Sequence, residues 1–265
     1  MSNNNLSSPP ILNNKHFSKT SIFQPENLLR EARRQKTIHH GEIPRVCILD
    51  PDGDFVDHLR NKDKIIKNKY WACYHSDLYT FEVNGEAVGV IPRAVGASYA
   101  VLVAEQLFVS GCNILISITS AGIINQPSIN KQFVLITEAI RDEGTSYHYL
   151  PVNEPSLISS ELFKQLESDA EKIDLPWFGA KSWTTDAPYR ETEMAITAMK
   201  NDNVSCVEME AAALYAFATA KDKQVVCFAH LTNTMAQQEG DFEKGEDFGS
   251  IAMFKLIEEV IKKLG

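Results

Sequence analysis

The 265-residue chain predicts an α/β fold built around a mixed β-sheet. Three observations predict it. Short apolar, β-branched runs alternate with segments of helical periodicity from Arg45 to the C-terminus. An Asn84-Gly85 pair between two such runs marks a tight hairpin, which makes at least one strand pair antiparallel. No internal repeat, linker or change of composition follows residue 40, so one domain is expected over residues 25–265.

Residues 1–24 are rich in Asn, Ser and Pro, with too little apolar surface to offset the entropy of ordering them, and read as a flexible arm. Pro25 then opens a helix with Leu28, Leu29 and Ala32 on one face, suited to pack on the main body or on a neighbouring subunit. Strands are expected at 46–49, 71–74, 79–83, 87–91, 113–119, 133–137, 177–183 and 225–231. Helices are expected at 97–110, 156–172, 189–200, 210–220 and 246–264.

With 44% hydrophobic and 23% charged residues, the composition is that of a soluble globular protein able to bury a sizeable core. The net charge is −9 and the basic residues form no stripe, which argues against a nucleic-acid polymer or an anionic membrane as partner. No apolar run approaches the roughly 20 residues of a membrane span, and the N-terminus lacks signal-peptide order, so a cytoplasmic location is expected. The five cysteines are widely spaced in apolar runs and read as core thiols. No His or Cys pair has metal-ligand spacing, and no dinucleotide or Walker loop is present, so neither a metal nor a nucleotide cofactor is implied.

The strongest pointer to function is Val207-Glu208-Met209-Glu210-Ala211, two acids in an otherwise apolar run. Charges are rarely buried without a partner. If 205–208 is extended, both acids share a face, and Glu210 then falls in the first turn of an Ala-rich helix, where backbone N–H groups favour an anion. Two readings follow: a helix-capping carboxylate, or a pair of acceptors gripping adjacent sugar hydroxyls.

Other segments carry candidate groups. Residues 141–149, with His148, follow a strand and form either a pocket wall or a hydrogen-bonded surface loop. Asp186 ahead of Pro188 is a helix-start signature, whereas capping does not explain Arg190, whose planar fork suits a carbonyl-rich base or a phosphate. Ser117 to Gly122 ends a buried strand in small and hydroxyl residues, where ligands collect in open α/β sheets. Gly96-Ala97-Ser98 opens a helix and offers N–H groups to an anion. His75 and His230 sit in or beside apolar runs and read as core histidines before ligands.

In order and spacing, the segments 96–122, 141–151, 184–192 and 207–214 resemble the nucleoside phosphorylase superfamily, which holds uridine phosphorylase, hexameric purine nucleoside phosphorylase and the hydrolytic nucleosidases. The resemblance spans residues 43–265, and Asn233 followed by Gln237-Gln238-Glu239 leans toward the uridine phosphorylase branch. It implies a three-layer α/β/α fold and a homo-oligomer, dimer or hexamer. It also implies Met209 and Glu210 on the ribose with Glu208 close by, Ser120 and Gly122 bordering sugar and base, and Tyr189, Arg190 and Asn233 facing the base. Asp186 and His148 join the substrate-binding set. Where the purine branch has a proton-donating Asp, Asn233 can only hydrogen-bond, which favours an oxo-substituted base.

The chain also departs from that family. Its phosphorylases hold phosphate with a Gly-Asp-Pro loop followed by an Arg, and with a second Arg on the strand before the Gly; here the loop reads Asp50-Pro51-Asp52-Gly53-Asp54-Phe55 and the strand position is Ser117. Three acids would repel a phosphate unless turned away, and Arg93 or Arg190 is the available substitute. Three functions follow: a pentosyltransferase cleaving a nucleoside with inorganic phosphate as co-substrate, a nucleosidase using water, or a nucleoside or nucleotide sensor without turnover. Gly240 to Gly245 is framed by glycines and forms either a flap over the substrate or a solvated loop.

Overall fold

The computed structural model describes residues 8–126, 131–168, 175–234 and 239–264. Residues 1–7 of the arm, residues 169–172 of the helix expected at 156–172, and Gln237 and Gln238 lie outside them.

In chain order the elements are α1 (Pro25–Lys36), β1 (Val46–Asp50), α2 (Asp54–Asn61), β2 (Ile66–Lys67), β3 (Tyr79–Val83), β4 (Glu86–Pro92), α3 (Ala97–Val109), β5 (Ile114–Ile123) and β6 (Phe133–Asp142). Then come β7 (Ser156–Leu157), α4 (Ser160–Glu167), β8 (Trp177–Thr185), α5 (Glu193–Asn201), β9 (Val204–Glu208), α6 (Ala211–Lys221), β10 (Gln224–Asn233) and α7 (Ser250–Leu264). Asn84 and Gly85 both take positive φ, 53° and 85°, as the expected β3–β4 hairpin requires.

The sheet runs β10-β6-β8-β9-β5-β1-β4-β3-β2, and β10 also pairs with β5, so five strands close into a ring with the remainder as an open wing. Parallel pairs (β1 with β4 and β5, β5 with β10, β8 with β6 and β9) mix with antiparallel ones (β3 with β4, β5 with β9, β6 with β10). The helices form two contacting groups, α1, α3 and α6 in one and α2, α4 and α7 in the other, with α5 on β9.

α6 is buried from Ala211 to Ala218, and its alanines let the helix backbone approach the sheet closely. Tyr215 locks it there: its hydroxyl donates to Ile136 O at 2.6 Å and accepts the Cys227 N–H at 3.0 Å. This seat fixes where the residues just before α6 emerge.

Several expected elements are corrected. Residues 71–74 form no strand: Ala72 is buried against Leu29 and Ala32 of α1, Trp71 and Cys73 join the main core, and the local carbonyls are met by side chains. Arg33 Nη1 donates to Tyr70 O at 2.7 Å and Lys36 Nζ to Cys73 O at 2.6 Å. The stretch 156–172 starts as β7, and the helix begins only after Ser159, whose hydroxyl accepts the Leu162 N–H. Likewise Pro188–Arg190 is a 3-10 turn, and α5 starts after Thr192, which caps Ala195. Gly249, at φ 80°, separates a 3-10 turn from α7. The helix α2 was hidden behind an Asp-Pro-Asp-Gly run that reads as a turn. All five cysteines are buried and free, as expected. No described helix is long and apolar enough to cross a membrane.

Candidate active site

Strands β1, β4, β5 and β10 are mutually parallel through β1 and β5, so their carboxyl ends share one side of the sheet. Ligands of open α/β sheets gather at such ends. Register brings His230 beside Ser120 and Asn233 beside Gly122, which in turn pairs with Val207 just before the acids.

The two glutamates differ sharply. Glu208 is 3% exposed and fully engaged. Its Oε1 accepts from Ser182 Oγ at 3.0 Å and Thr184 Oγ1 at 2.5 Å, and its Oε2 accepts the N–H groups of Glu210 and Ala211, each at 2.7 Å. These four bonds use the acceptor capacity of a carboxylate. Glu208 is therefore the helix-capping member of the pair, beside Glu210. Met209, between the two acids, is half-buried.

Glu210 is 1% exposed; its Oε1 accepts the Gly96 N–H at 2.7 Å, and its Oε2 has no partner. Burial, and then the charge of Glu208, push its carboxyl up to about 8 against the pull of the Gly96 N–H, the Thr119 hydroxyl and the Met209 N–H. The N–H expected to meet an anion at the start of α3 thus meets the chain's own carboxyl. Gly96 has φ 89°, a conformation that suits a residue without Cβ.

At the end of β1, Asp50 is fully buried and caps α2, its oxygens accepting the Gly53 N–H at 3.1 Å and the Val56 N–H at 3.0 Å. Burial raises it to about 7. Asp52 Oδ2 accepts from Ser120 Oγ and lies 3.2 Å from Lys244 Nζ, which also sits 2.6 Å from Asp54 Oδ2. The acids therefore are not turned away from this end of β5, and a lysine from the Gly240–Gly245 segment neutralises two of them. Arg93 lies on the backbone side of this loop: its Nη2 is 2.6 Å from Asp57 Oδ2, its Nη1 donates to Asp52 O at 3.4 Å, and no ion pair joins it to the Asp52 or Asp54 carboxylates among the described residues. Ser117 Oγ is buried without a partner. His230 is buried against Phe133, ring centroids 4.7 Å apart, and burial lowers it to about 4, the core histidine expected.

The remaining expected site residues separate from this centre. Tyr189 is 99% exposed and Arg190 is exposed beside it, on the turn before α5. Asp186 accepts the Gly144 N–H at 2.8 Å and so ties down the 143–148 turn instead of capping a helix. His148 is exposed and its Nδ1 lies 2.8 Å from Lys15 Nζ of the N-terminal segment. It follows the end of β6, which runs antiparallel to β10 and away from Asn233. Its neighbour Tyr149 packs on Phe217, seven residues along α6 from Glu210 and roughly 10 Å along the helix axis. The loop is a self-bonded structure in which Arg141 donates to Ser146 Oγ and to the carbonyls of Leu150, Pro151 and Glu154. In the single chain His148 lies on the surface.

Asp52 and Lys244 were not among the expected site residues. The acid was read only as an obstacle to phosphate, and the lysine's place depends on a contact across 192 positions that no local pattern announces.

The model of the phosphorylase superfamily matches residues 45–262, and the chain belongs to that family. Among curated proteins, a guanosine phosphorylase of Halorubrum lacusprofundi is 21% identical over 69% of this chain and 76% of its own length. A uridine phosphorylase of Haemophilus influenzae is 27% identical over 59% of this chain and 68% of its own length. Among solved structures, purine nucleoside phosphorylase from Toxoplasma gondii in complex with immucillin-H superposes with a TM-score of 0.70 at 15% identity, covering 84% of this chain and 92% of that one. Uridine phosphorylase from Vibrio fischeri gives 0.68 at 16% identity, covering 87% and 98%. These likenesses bear out the three-layer α/β fold and the resemblance read from the sequence.

Proposed function

We propose that the chain cleaves the N-glycosidic bond of a nucleoside. The observation that carries this is Glu210 Oε2, a carboxyl oxygen buried and unpartnered at the mouth of the strands. A buried acceptor without a donor costs about 1–3 kcal/mol, and a ribose hydroxyl donating to it removes that cost. Once ionised, Glu210 also favours a sugar that becomes cationic as the bond stretches. Asn233, half-buried on β10 beside Gly122 with its Nδ2 donating to Thr232 Oγ1 at 3.1 Å, carries a second amide hydrogen that suits a carbonyl of an oxo-substituted base such as uracil or hypoxanthine. Ser120 and Gly122 border the same space from β5. Tyr189 and Arg190 contribute only if their exposed turn closes over the base or meets a second copy, so Arg190 is a weaker candidate than Asn233.

Two acceptors are available. The names of the relatives support phosphate, in a pentosyltransfer reaction. The acidic loop supports water, because Asp52 and Asp54 stand where a phosphate dianion would need cations and the local lysine is already matched. Incubation with a panel of nucleosides, with and without phosphate, followed by chromatography of free bases, tests both. Base release from uridine or inosine is expected; binding without release under either condition would instead mark a sensor.

A further inference from the structure

Asp52 is surrounded as an anion would be. Ser120 donates to it from β5, and Lys244 reaches it from a segment that is itself docked. In that segment the Glu243 N–H donates to Thr232 O at 2.9 Å, and Phe242 bridges to Asn233, while Gly240 and Gly245 turn the chain at φ 83° and 89°. The side chains of Lys244 and Asp52 are only 14% and 25% exposed. Burial opposes the Lys244 ammonium, but Asp54 and Asp52 outweigh it and hold its pKa above the ordinary value.

This cluster adjoins Glu210 through one short loop. The Arg93 N–H donates to Asp50 O at 2.8 Å and Arg93 Nη1 to Asp52 O at 3.4 Å; three residues on, the Gly96 N–H meets Glu210 Oε1. The ligand-seeking oxygen of Glu210, and the unpartnered Ser117 hydroxyl under the end of β1, are independent signs that this corner is built for something outside the chain.

We propose that Asp52, locked by Ser120 and Lys244, fills the acceptor side with the protein's own carboxylate, and that the acceptor is a water whose proton Asp52 takes. This rests on the nucleoside-cleaving reading. The water oxygen bonds to C1′ as the C1′–N bond breaks, and the bond's electron pair leaves with the base. The water's proton passes to Asp52, and the base anion takes a proton from solvent, giving free ribose and free base. A phosphate would have to displace the carboxylate from both Ser120 and Lys244 while lying beside Asp54, and like charges at such range oppose each other.

The test uses the full chain with uridine and inosine, following base by chromatography and sugar by phosphorus NMR and reducing-sugar assay. Equal base release with and without phosphate is expected, yielding ribose and no ribose 1-phosphate. Asp52→Asn should lower kcat about 100-fold with little change in KM. Asp52→Gly should regain part of the lost rate when formate is added, a rescue that a merely structural aspartate would not show. Release only with phosphate, as ribose 1-phosphate, overturns the proposal and leaves nucleoside cleavage standing; so does full activity in Asp52→Asn. No release from any nucleoside under either condition sinks both.

Discussion

At the corner from β1 to α2, Asp50 and Asp52 stand two residues apart, and at the corner from β9 to α6, Glu208 and Glu210 do the same. In both, the first acid ends the strand and is consumed by N–H groups of the helix that follows, Gly53 and Val56 in one case, Glu210 and Ala211 in the other. The second acid projects toward the shared end of the sheet. There the corners part: Asp52 has Ser120 and Lys244, whereas Glu210 has the Gly96 N–H on one oxygen and no full hydrogen bond on the other, with Thr119 and the Met209 N–H nearby. The same spacing thus builds one corner that is complete in the free protein and one that only an outside donor completes.

The comparison breaks first at Glu208. Glu208→Ala strips two helix N–H groups and two hydroxyls of their buried acceptor, and should cost about 3 kcal/mol or more of stability, on the order of 10 °C in Tm by thermal melting. A near-native melt would mean that Glu208 is not structural. Glu210→Gln sharpens the contrast: base release should fall about 100-fold while Tm holds or rises, since an ionisable group leaves a buried site. Activity surviving alongside a collapsed melt would exchange the two roles.

A pH series probes both corners together. The folded carboxyls of Glu210 and Asp50 are raised, to about 8 and about 7, so the folded state keeps protons that the unfolded chain gives up above the ordinary carboxylate range. Their share of stability is intact below the ordinary carboxylate range, declines as pH climbs from there to about 7 for Asp50 and about 8 for Glu210, and is level above. Tm should fall across that window, and less so in Glu210→Gln. If the ribose hydroxyl must donate to an ionised Glu210, kcat/KM rises as pH approaches and passes about 8. The smallest effect is expected at Arg93→Ala: an exposed pair with Asp57 contributes less than about 1 kcal/mol, and base release should be unchanged. A marked rise in KM for phosphate would restore Arg93 as an anion anchor.

The sheet was legible because its strands are buried on both faces and read as continuous apolar runs, which is also why 71–74 misled: burial under a helix imposes the same composition as burial in a ladder. Glu208 and Glu210 were found for the right reason, buried charge, but capping and ligand binding were posed as alternatives when adjacent residues divide them. His148, Arg190 and Tyr189 were placed by resemblance, and position along the chain does not say which end of a closed ring a loop leaves from. The Asp52 to Lys244 contact depends on how a distant glycine-framed segment docks, which no periodicity encodes.

The closed ring of β5, β9, β8, β6 and β10 has a consequence for behaviour at high concentration. Among the described residues the sheet's borders are β7 beside β6 and the last strand of the wing, β2; each is two residues long, and at β2 Lys67 is paired to Asp77 with Glu82 exposed on β3 beyond it. Short, charged borders are poor templates for recruiting a foreign strand. Copies of this chain that associate should therefore do so through helix and loop surfaces, and samples cooled from partial melting should resist fibre formation.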